Sequence, residues 1–422
     1  MKCNTLQIAI LWLITPAFFC LASAAASKST KDLAQINELI KTQQYPAAYS
    51  RLEYASGTPD ELAALARACD AATAKHPNDA LLLRIQGIIA HKMNNLKAAR
   101  KYLDNSLSLA PNEAASYLER GRIDNADGQY QAAIDDLVKT LRLSPNNAEA
   151  YLILASAHLK THNPSEAIAD ASKGIQLNSP QWSGAAYSTR SLAYQAMGNM
   201  PQAIQDADKV IQLTPQVPWA YTQRAQLAFD MGENDKAFAL LNKALKVAPD
   251  NACIESIHFM KATNWDRLNE FSRAIDEFTL MLKLKPNNDA ALRCRAKLYM
   301  RTGEHVKALQ DYEHSLRLLP KDRITLQMCG HLCRKLNQPT KAINYYKSSA
   351  ALGNKHPSIY LGLARCHSDL GQFHQAVDDY TTLINRIPNE PQYYVLRAEA
   401  YDRAGRHDLA LKDQEKARTI HD

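Results

Sequence analysis

The chain has 422 residues, eight cysteines and a formal net charge of +7. Cysteines this sparse exclude a fold held together by disulfide bonds, and a mildly basic balance predicts scattered surface Lys and Arg. Length alone suggests about three domains, but the internal repeats described below predict a different organisation.

Residues 1–26 differ in composition from everything after them. Lys2 precedes a mostly apolar run over residues 8–21, and residues 22–26 are small. A run this short is typical of a secretory signal peptide rather than of a membrane span. We therefore expect an exported protein, periplasmic or extracellular in a bacterial envelope, with no membrane insertion after the signal is removed. A leader that stays uncleaved would instead anchor the chain in the membrane.

Residues 27–77 predict an irregular helical cap that includes a degenerate repeat. A first helix is expected over about residues 31–42. Thr58 is placed to cap an extra helix that begins at Pro59, and Glu61 would complete a capping box. The apolar stripe of that helix must bury against a neighbour, for which the first regular repeat is the natural candidate.

From residue 78 to 422 the sequence repeats about every 34 residues. Each repeat unit carries two amphipathic helical patterns, named helix A and helix B here, and one alanine of helix B recurs in all ten units. With the units aligned so that this alanine is position 20, the ten residues are Ala99, Ala133, Ala167, Ala203, Ala237, Ala274, Ala308, Ala342, Ala376 and Ala410. A period of this length built from two helices predicts a stacked solenoid rather than separate globular domains.

Three further positions have readable roles. Position 8 in helix A is always Gly, Ala or Ser, and such small residues let two helix axes approach closely. Position 15 is Gly or Asn except at His162, and Gly and Asn tolerate the left-handed conformation that ends a helix. Position 32 is Pro in seven units, where it ends helix B.

These positions resemble the tetratricopeptide repeat family over residues 78–422. The resemblance implies an all-α fold, a right-handed α-solenoid of about ten tandem helix-turn-helix repeats. It also implies that the helices A line a concave groove, which in this family binds peptides or partner domains.

A second regularity is electrostatic. Position 7 is Arg in five units and position 23 is acidic in seven. The pattern predicts a ladder of ion pairs between helices, including one from Arg224 to Asp206 of the preceding unit. Charges repeated unit by unit are typical of a scaffold, and such pairs set the register of helices more than they add stability.

The resemblance implies that positions 5, 9, 12 and 13 of helix A face the groove. In the seventh to ninth units these positions carry six permanent cations and one acid, Asp369. The predicted partner-binding residues are Arg293, Lys297, Arg301, Gln327, His331, Arg334, Lys335 and Arg365. Apolar residues at the same positions elsewhere are Leu118, Leu152, Leu159, Leu192, Phe229 and Phe259. We therefore expect a groove with an apolar entrance and a basic centre, suited to a peptide with acidic side chains. The alternative is that these basic residues belong to the ordinary solvated surface of a mildly basic protein.

Motifs of catalytic chemistry are missing from the sequence. It contains no Gly-rich phosphate loop, HExxH, GxSxG or CxxC pattern, so we expect no enzyme, no cofactor and no metal. One alternative is a zinc site or disulfide built on Cys329, His331 and Cys333, with Cys366 one unit later. The competing interpretation is that the thiols are small buried core residues, because tight pairs of zinc ligands are missing.

The partner expected from these observations is a protein or peptide. Nucleic acid is not expected, because no aromatic side chains alternate with the groove cations. The Lys and Asn positions with which related repeats hold chaperone C-termini do not occur in three consecutive units. The sequence thus predicts an exported, non-enzymatic interaction scaffold or assembly factor. A co-chaperone that holds unfolded clients is an alternative, and a metal-binding or enzymatic protein using the Cys/His cluster is another.

Overall fold

The computed structural model describes residues 29–52, 55 and 57–420, so the predicted signal peptide lies outside the described residues. Every element in the described part is an α-helix, and none of these helices is both long and apolar enough to cross a bilayer. The helices are α1 (Ser29–Lys41), α2 (Tyr45–Leu52), α3 (Pro59–Lys75), α4 (Ala80–Lys92), α5 (Leu96–Leu109), α6 (Ala114–Ala126), α7 (Tyr130–Leu143), α8 (Ala148–Lys160), α9 (Pro164–Gln176), α10 (Ser183–Ala196), α11 (Met200–Leu213), α12 (Pro218–Asp230), α13 (Asn234–Val247), α14 (Asn251–Arg267), α15 (Phe271–Leu284), α16 (Asp289–Arg301), α17 (His305–Leu318), α18 (Arg323–Lys335), α19 (Pro339–Ala351), α20 (Pro357–Asp369), α21 (Phe373–Arg386), α22 (Pro391–Arg403) and α23 (His407–Thr419).

The helices fall into two compact units. The first ends at Ala248 and contains α1 to α13, and the second begins at Pro249 and contains α14 to α23. Within each unit, a helix A packs against the helix B that follows it and against the helix B of the preceding repeat. Helical hairpins stacked in this way form the α-solenoid that the sequence predicts.

The turn between helix A and helix B depends on the residue at position 15. All ten of these residues have positive φ angles, from 56° at Asn337 to 80° at Gly128 and Gly303. Nine are Gly or Asn, which adopt this conformation with little strain. His162, with φ 63°, adopts the same conformation although it is neither, because the hairpin requires it.

The hairpin core is a contact between two small residues. The alanines at position 20 are buried in all ten repeats. At position 8, a Cβ added to Gly87 would lie 3.3 Å from the carbonyl oxygen of Ala99 and 2.8 Å from Leu103 Cγ at position 24, and one added to Gly330 would lie 2.8 Å from the ring of Tyr346, also at position 24. The predicted close approach of the two helices is confirmed, because these sites have no room for a larger side chain.

The N-terminal cap packs as its apolar stripe predicts. Thr58 and Glu61 form the expected capping box at the start of α3. Leu65 and Cys69 of that helix are buried in one cluster with Ile85 of α4, the first regular helix A. The cap therefore covers apolar surface that the first repeat would otherwise expose.

Arginines at position 7 join three helices at a time. Four of them donate two hydrogen bonds to the position-23 aspartate of their own helix B, at 2.6–2.8 Å. The pairs are Arg120–Asp136, Arg190–Asp206, Arg295–Asp311 and Arg397–Asp413. The remaining terminal nitrogen donates to position 25 of the preceding helix B, which is Asp104, Ser172, Thr279 and Thr381 in turn. Each guanidinium thus fixes one helix A between two helices B.

The predicted pair between Arg224 and Asp206 is wrong. Arg224 Nε donates instead to Asp208, at 2.8 Å. Asp206 is already occupied by two N–H groups of Arg190. Position 23 of the repeat that contains Arg224 is Leu240, so this arginine makes only the contact to the preceding repeat.

In two repeats position 7 is leucine, and a histidine elsewhere on helix A contacts the position-23 acid instead. His158 Nδ1 lies 2.7 Å from Asp170 Oδ2, and His367 Nδ1 lies 2.7 Å from Asp379 Oδ2. Both histidines are at position 11, one helical turn after position 7. The acid at position 23 is therefore matched by a nitrogen from helix A even where the arginine is missing.

The sequence carries two short insertions between a helix B and the next helix A, and only one of them lengthens a loop. Residues 177–182 do form the connection between α9 and α10. The extra residues after Pro249 instead lengthen helix α14, which has 17 residues where most helices A have 13. Asp250 caps it by accepting a hydrogen bond from the Cys253 amide. Because Asp250 fixes the start of α14, the extra residues after it are part of the helix.

The contacts of each position-7 arginine with two helices B, called the arginine fork here, predict that a single substitution destabilises the protein more than a double one. We expect Arg295→Leu to lower the free energy of unfolding by about 2–3 kcal/mol, because the buried carboxylate of Asp311 loses its partner. Adding Asp311→Leu should recover most of that loss, because no buried charge then remains. Urea unfolding followed by circular dichroism measures both variants.

Lys236→Ala is the matched control, since it removes an exposed pair with Glu233, the residue that precedes helix α13. Its free energy of unfolding should stay within about 0.5 kcal/mol of the parent. If Arg295→Leu were equally harmless, the fork would not be holding the hairpins in place.

Candidate functional site

The eight predicted groove residues lie on three helices A of the second unit. Helices α16, α18 and α20 carry them at positions 5, 9, 12 and 13 of the repeat. Helix α18 also packs directly against α20. Their charges are not equivalent, because the structure pairs some of them with carboxylates of the same unit.

Arg293 is held by two carboxylates. Its Nε and Nη2 contact Asp289 Oδ2, at 2.9 and 2.8 Å, and its Nη1 lies 3.7 Å from Asp322 Oδ2. Burial favours the neutral form of Asp322, but hydrogen bonds from Thr325 and from backbone amides, together with Arg293, keep its pKa below the usual value. Arg293 is therefore largely neutralised within the protein.

Arg301 and Gln327 are also engaged within the unit. Arg301 forms an ion pair with Asp266 of the preceding helix A and stacks on the Phe271 ring, with 4.0 Å between the guanidinium carbon and the ring centroid. Gln327 donates to Ser358 Oγ, at 2.7 Å, and accepts from Asn354, at 2.9 Å. These two side chains position neighbouring helices and present little free hydrogen-bonding capacity.

Four predicted cations have no carboxylate partner among the residues that the structure describes. Lys297 and Lys335 are exposed, while Arg334 and Arg365 are half-buried. Arg334 also interacts with the hydroxyl of Tyr346, where it opposes the burial that raises the pKa of that phenol to about 12. The unneutralised positive charge of this surface is thus concentrated on α18 and on its neighbours in the stack.

His331 is half-buried between these cations. Burial lowers its pKa first, and Arg334, Lys335 and His305 lower it further because each disfavours a second positive charge nearby. The imidazole is therefore neutral at neutral pH. It offers a hydrogen-bonding group rather than a fixed charge.

The expected apolar entrance is only partly present in the first unit. Leu118, Leu152 and Phe229 are buried, the last against the Phe238 ring of its own helix B, whereas Leu159 and Leu192 are half-buried. In the second unit Phe259 is 40% exposed, as the sequence predicts, and Val395 at the same repeat position is 42% exposed. Position 5 is apolar in both, so the same signal would have found Val395.

Sequence reasoning missed the acids that neutralise part of the surface. Asp289 lies four residues before Arg293 on one helix, a spacing that is readable from sequence. Asp266 lies at position 12 of the repeat before Arg301, and only the stacking of the two helices brings them together. The predicted count of six free cations is therefore too high by two.

The candidate metal cluster is part of the core. Cys329, Cys333 and Cys366 are free thiols that are fully buried in one apolar cluster with Tyr346. Burial raises the pKa of Cys333 and of Cys366 to about 11, and it raises that of Cys329 as well. Among the described residues, no group of three or more His, Cys, Asp and Glu side chains is arranged to hold a metal ion. Thiols held in the neutral form are poor metal ligands.

Thiol alkylation tests this placement. At pH 8 about one in a thousand of the Cys333 and Cys366 thiols is ionised, so iodoacetamide should spare them while it modifies the half-buried Cys253. In urea all of these thiols should react. Mass spectrometry of tryptic peptides gives the extent at each site.

Raising the pH toward 11 should increase the ionised fraction about tenfold per pH unit. Zinc analysis of the purified protein is the companion measurement. One equivalent of bound zinc, or protection of Cys333 that zinc chelation abolishes, would contradict the buried-thiol assignment.

Comparison with protein-family models finds three matches, each described as tetratricopeptide repeat. They cover residues 125–169, 220–251 and 256–420. The chain is similar to Hsp70-Hsp90 organizing protein 3 of Arabidopsis thaliana, with 34% identity over 89 residues. This match covers 19% of the chain and spans only 16% of the length of that protein.

Solved structures also resemble part of the chain. The crystal structure of MamA is 28% identical, with a TM-score of 0.35, and the match covers 38% of this chain and 93% of that one. A tetratricopeptide repeat protein from Parabacteroides merdae is 20% identical, with a TM-score of 0.49, over 63% of this chain and 99% of that one.

Proposed function

This chain belongs to the tetratricopeptide repeat family, and we propose that it is an exported, non-enzymatic scaffold or assembly factor. Its partner is a peptide or domain with acidic side chains. The partner binds on the surface formed by helices α16, α18 and α20, which is called the basic surface below.

The observation that supports this proposal is a contrast between two sets of cations. The arginines at position 7 each have a carboxylate or hydroxyl partner in the fold, as Arg295 has in Asp311 and Thr279. On the basic surface Lys297, Arg334, Lys335 and Arg365 form no ion pair with a carboxylate in the described part of the chain. A fold that neutralises its structural cations leaves these four available to an anionic partner.

Rigid helices suit such a role. The side chains of the basic surface project from helices whose positions are fixed by packing on both sides. A peptide that docks there orders itself but requires little ordering of the protein, so less conformational entropy is lost on binding. Chemistry on a substrate is not part of the proposal, because the thiols nearest this surface are buried and protonated.

Reversing two of these charges is the central test. We expect Lys297→Glu with Arg334→Glu to reduce capture of partner proteins from an envelope extract at least about tenfold, since four units of charge are changed at the binding surface. The bound proteins are quantified by mass spectrometry at low and high salt. Circular dichroism should show unchanged helicity.

The control is a reversal of equal size on helix α13 of the first unit. Lys243→Glu with Lys246→Glu changes two exposed lysines, which lie far in sequence from the basic surface. This control should retain full capture. Equal loss in both variants would mean that net charge, and not the basic surface, governs binding.

Export is proposed from residues 1–26 and is tested separately. We expect the mature N-terminus of the protein isolated from the envelope fraction to fall within or directly after the small residues 22–26, because signal peptidases cleave after such residues. N-terminal peptide mapping gives the site. Recovery of an intact Met1 in a soluble cytoplasmic fraction would remove the exported part of the proposal.

A co-chaperone that holds unfolded clients is the second candidate. The likeness to a protein named Hsp70-Hsp90 organizing protein favours it, although this likeness covers less than a fifth of the chain. A holding function would suppress aggregation of a heat-unfolded client protein in light-scattering assays. Suppression that persists in the Lys297→Glu with Arg334→Glu variant would favour this candidate over specific recognition of an acidic partner.

A further inference from the structure

Side chains at position 9 form a row along the basic surface. Lys297 on α16, His331 on α18 and Arg365 on α20 are successive members, each 34 residues from the next. Thr263 on α14 and Glu399 on α22 occupy the same position in the flanking repeats. The row therefore has three basic members and ends on both sides at residues that carry no positive charge.

The spacing of the row can be matched to an extended chain. Helix α18 packs directly against α20, and helices in such contact lie about 8–10 Å apart, so His331 and Arg365 are separated by about that distance. Lys297 occupies the same position one repeat earlier, on α16. A peptide in the extended polyproline II conformation advances about 3.1 Å per residue with three residues per turn, so every third side chain lies on the same face. One member of the row therefore corresponds to about three residues of peptide.

The groove positions of these three helices carry one acid, Asp369 on α20, and the other charges at those positions do not oppose the row. Arg293 and Arg301 are neutralised by the carboxylates of Asp289 and Asp266. Arg334 and Lys335 adjoin the row on α18 and add positive charge next to His331. A ligand that follows the row therefore meets positive charge at regular intervals rather than a diffuse basic patch.

We propose that Lys297, His331 and Arg365 bind an extended peptide segment whose carboxylates recur at every third residue, one opposite each member of the row. The inference rests on the proposed function and specifies the chemistry of the partner. It requires more than negative charge, because the same number of carboxylates in a contiguous block would reach one member of the row and miss the others.

The middle member makes this recognition dependent on protons. The charged and titratable groups that act on His331 are Arg334 and Lys335 on its own helix and His305 on α17, with no carboxylate among them. In the free protein the imidazole is neutral at neutral pH, because burial and these cations lower its pKa. A docked carboxylate offsets the cations, so the pKa of His331 is higher in the complex than in the free protein. The affinity for the peptide therefore rises as the pH falls from above the pKa of His331 in the complex towards its pKa in the free protein. Between these two pKa values a proton is taken up on binding.

Two synthetic peptides of identical composition test the spacing. One repeats Glu-Ser-Gly four times, and the other places the four glutamates in a single block. Calorimetric titration of the full-length protein should give at least about fivefold tighter binding of the spaced peptide, because only this peptide reaches all three members of the row. The same peptide should bind about threefold to tenfold more tightly at pH 5.8 than at pH 7.8.

Variants at His331 distinguish the effect of its protonation on binding from the effect of positive charge in general. His331→Lys should keep binding of the spaced peptide and lose the pH dependence, since its charge is permanent. His331→Gln should also lose the pH dependence and bind more weakly at pH 5.8. His374→Gln, at an exposed histidine on α21, is the matched control and should keep the pH dependence. Circular dichroism confirms that all three variants are folded.

Several outcomes would overturn the proposal. Equal affinity for the two peptides would contradict the spacing, and pH dependence that persists in His331→Lys would contradict the role of His331. A single-stranded oligonucleotide that competes as well as the spaced peptide would contradict the peptide assignment.

If neither peptide binds while the double charge reversal still abolishes capture, the row proposal fails and the proposed function stands. If capture is also unaffected by the reversal, both fail.

Discussion

The close contact between helix A and helix B at positions 8 and 20 is the constraint on which the rest of the structure depends. Alanine at position 20 is buried in every repeat, and at Gly87 and Gly330 there is no space for a Cβ. Because the helices meet this closely, the chain must reverse in a very short turn at position 15. That turn requires a positive φ angle, which even His162 adopts.

The same geometry decides where polar side chains meet. Since helix A is held between two helices B, a side chain at position 7 reaches position 23 on one side and position 25 on the other. Arginine spans both, and each fork joins its own repeat to the one before it. Removing the acid or the arginine alone leaves a buried polar group unsatisfied, so the pair constrains the register of the stack more than it adds stability.

These pairings also define the candidate functional surface. The fold uses its arginines at position 7 internally and neutralises Arg293 and Arg301 with neighbouring acids. The positive charge that remains lies on one face of α16, α18 and α20, on helices already fixed by packing. In the proposed row, one titratable member among permanent cations would couple partner binding to pH, which a uniformly basic surface would not do.

The number of repeats, the residues that end each helix and the small residues between the helices could all be predicted from the sequence alone. These features are local or strictly periodic, so they are readable without coordinates. The sequence also predicted Thr58 and Glu61 as a capping box, because that motif spans only four residues.

The charges and apolar side chains that remain available to a partner could not be predicted from the sequence, because they depend on contacts between repeats. Asp266 neutralises Arg301, and Asp208 rather than Asp206 receives Arg224, because helices from different repeats bring them together. Leu118 and Leu152 were expected to line a groove but are buried between neighbouring helices. A periodic sequence shows which face of a helix a residue occupies, whereas its partner across the interface depends on how the repeats stack.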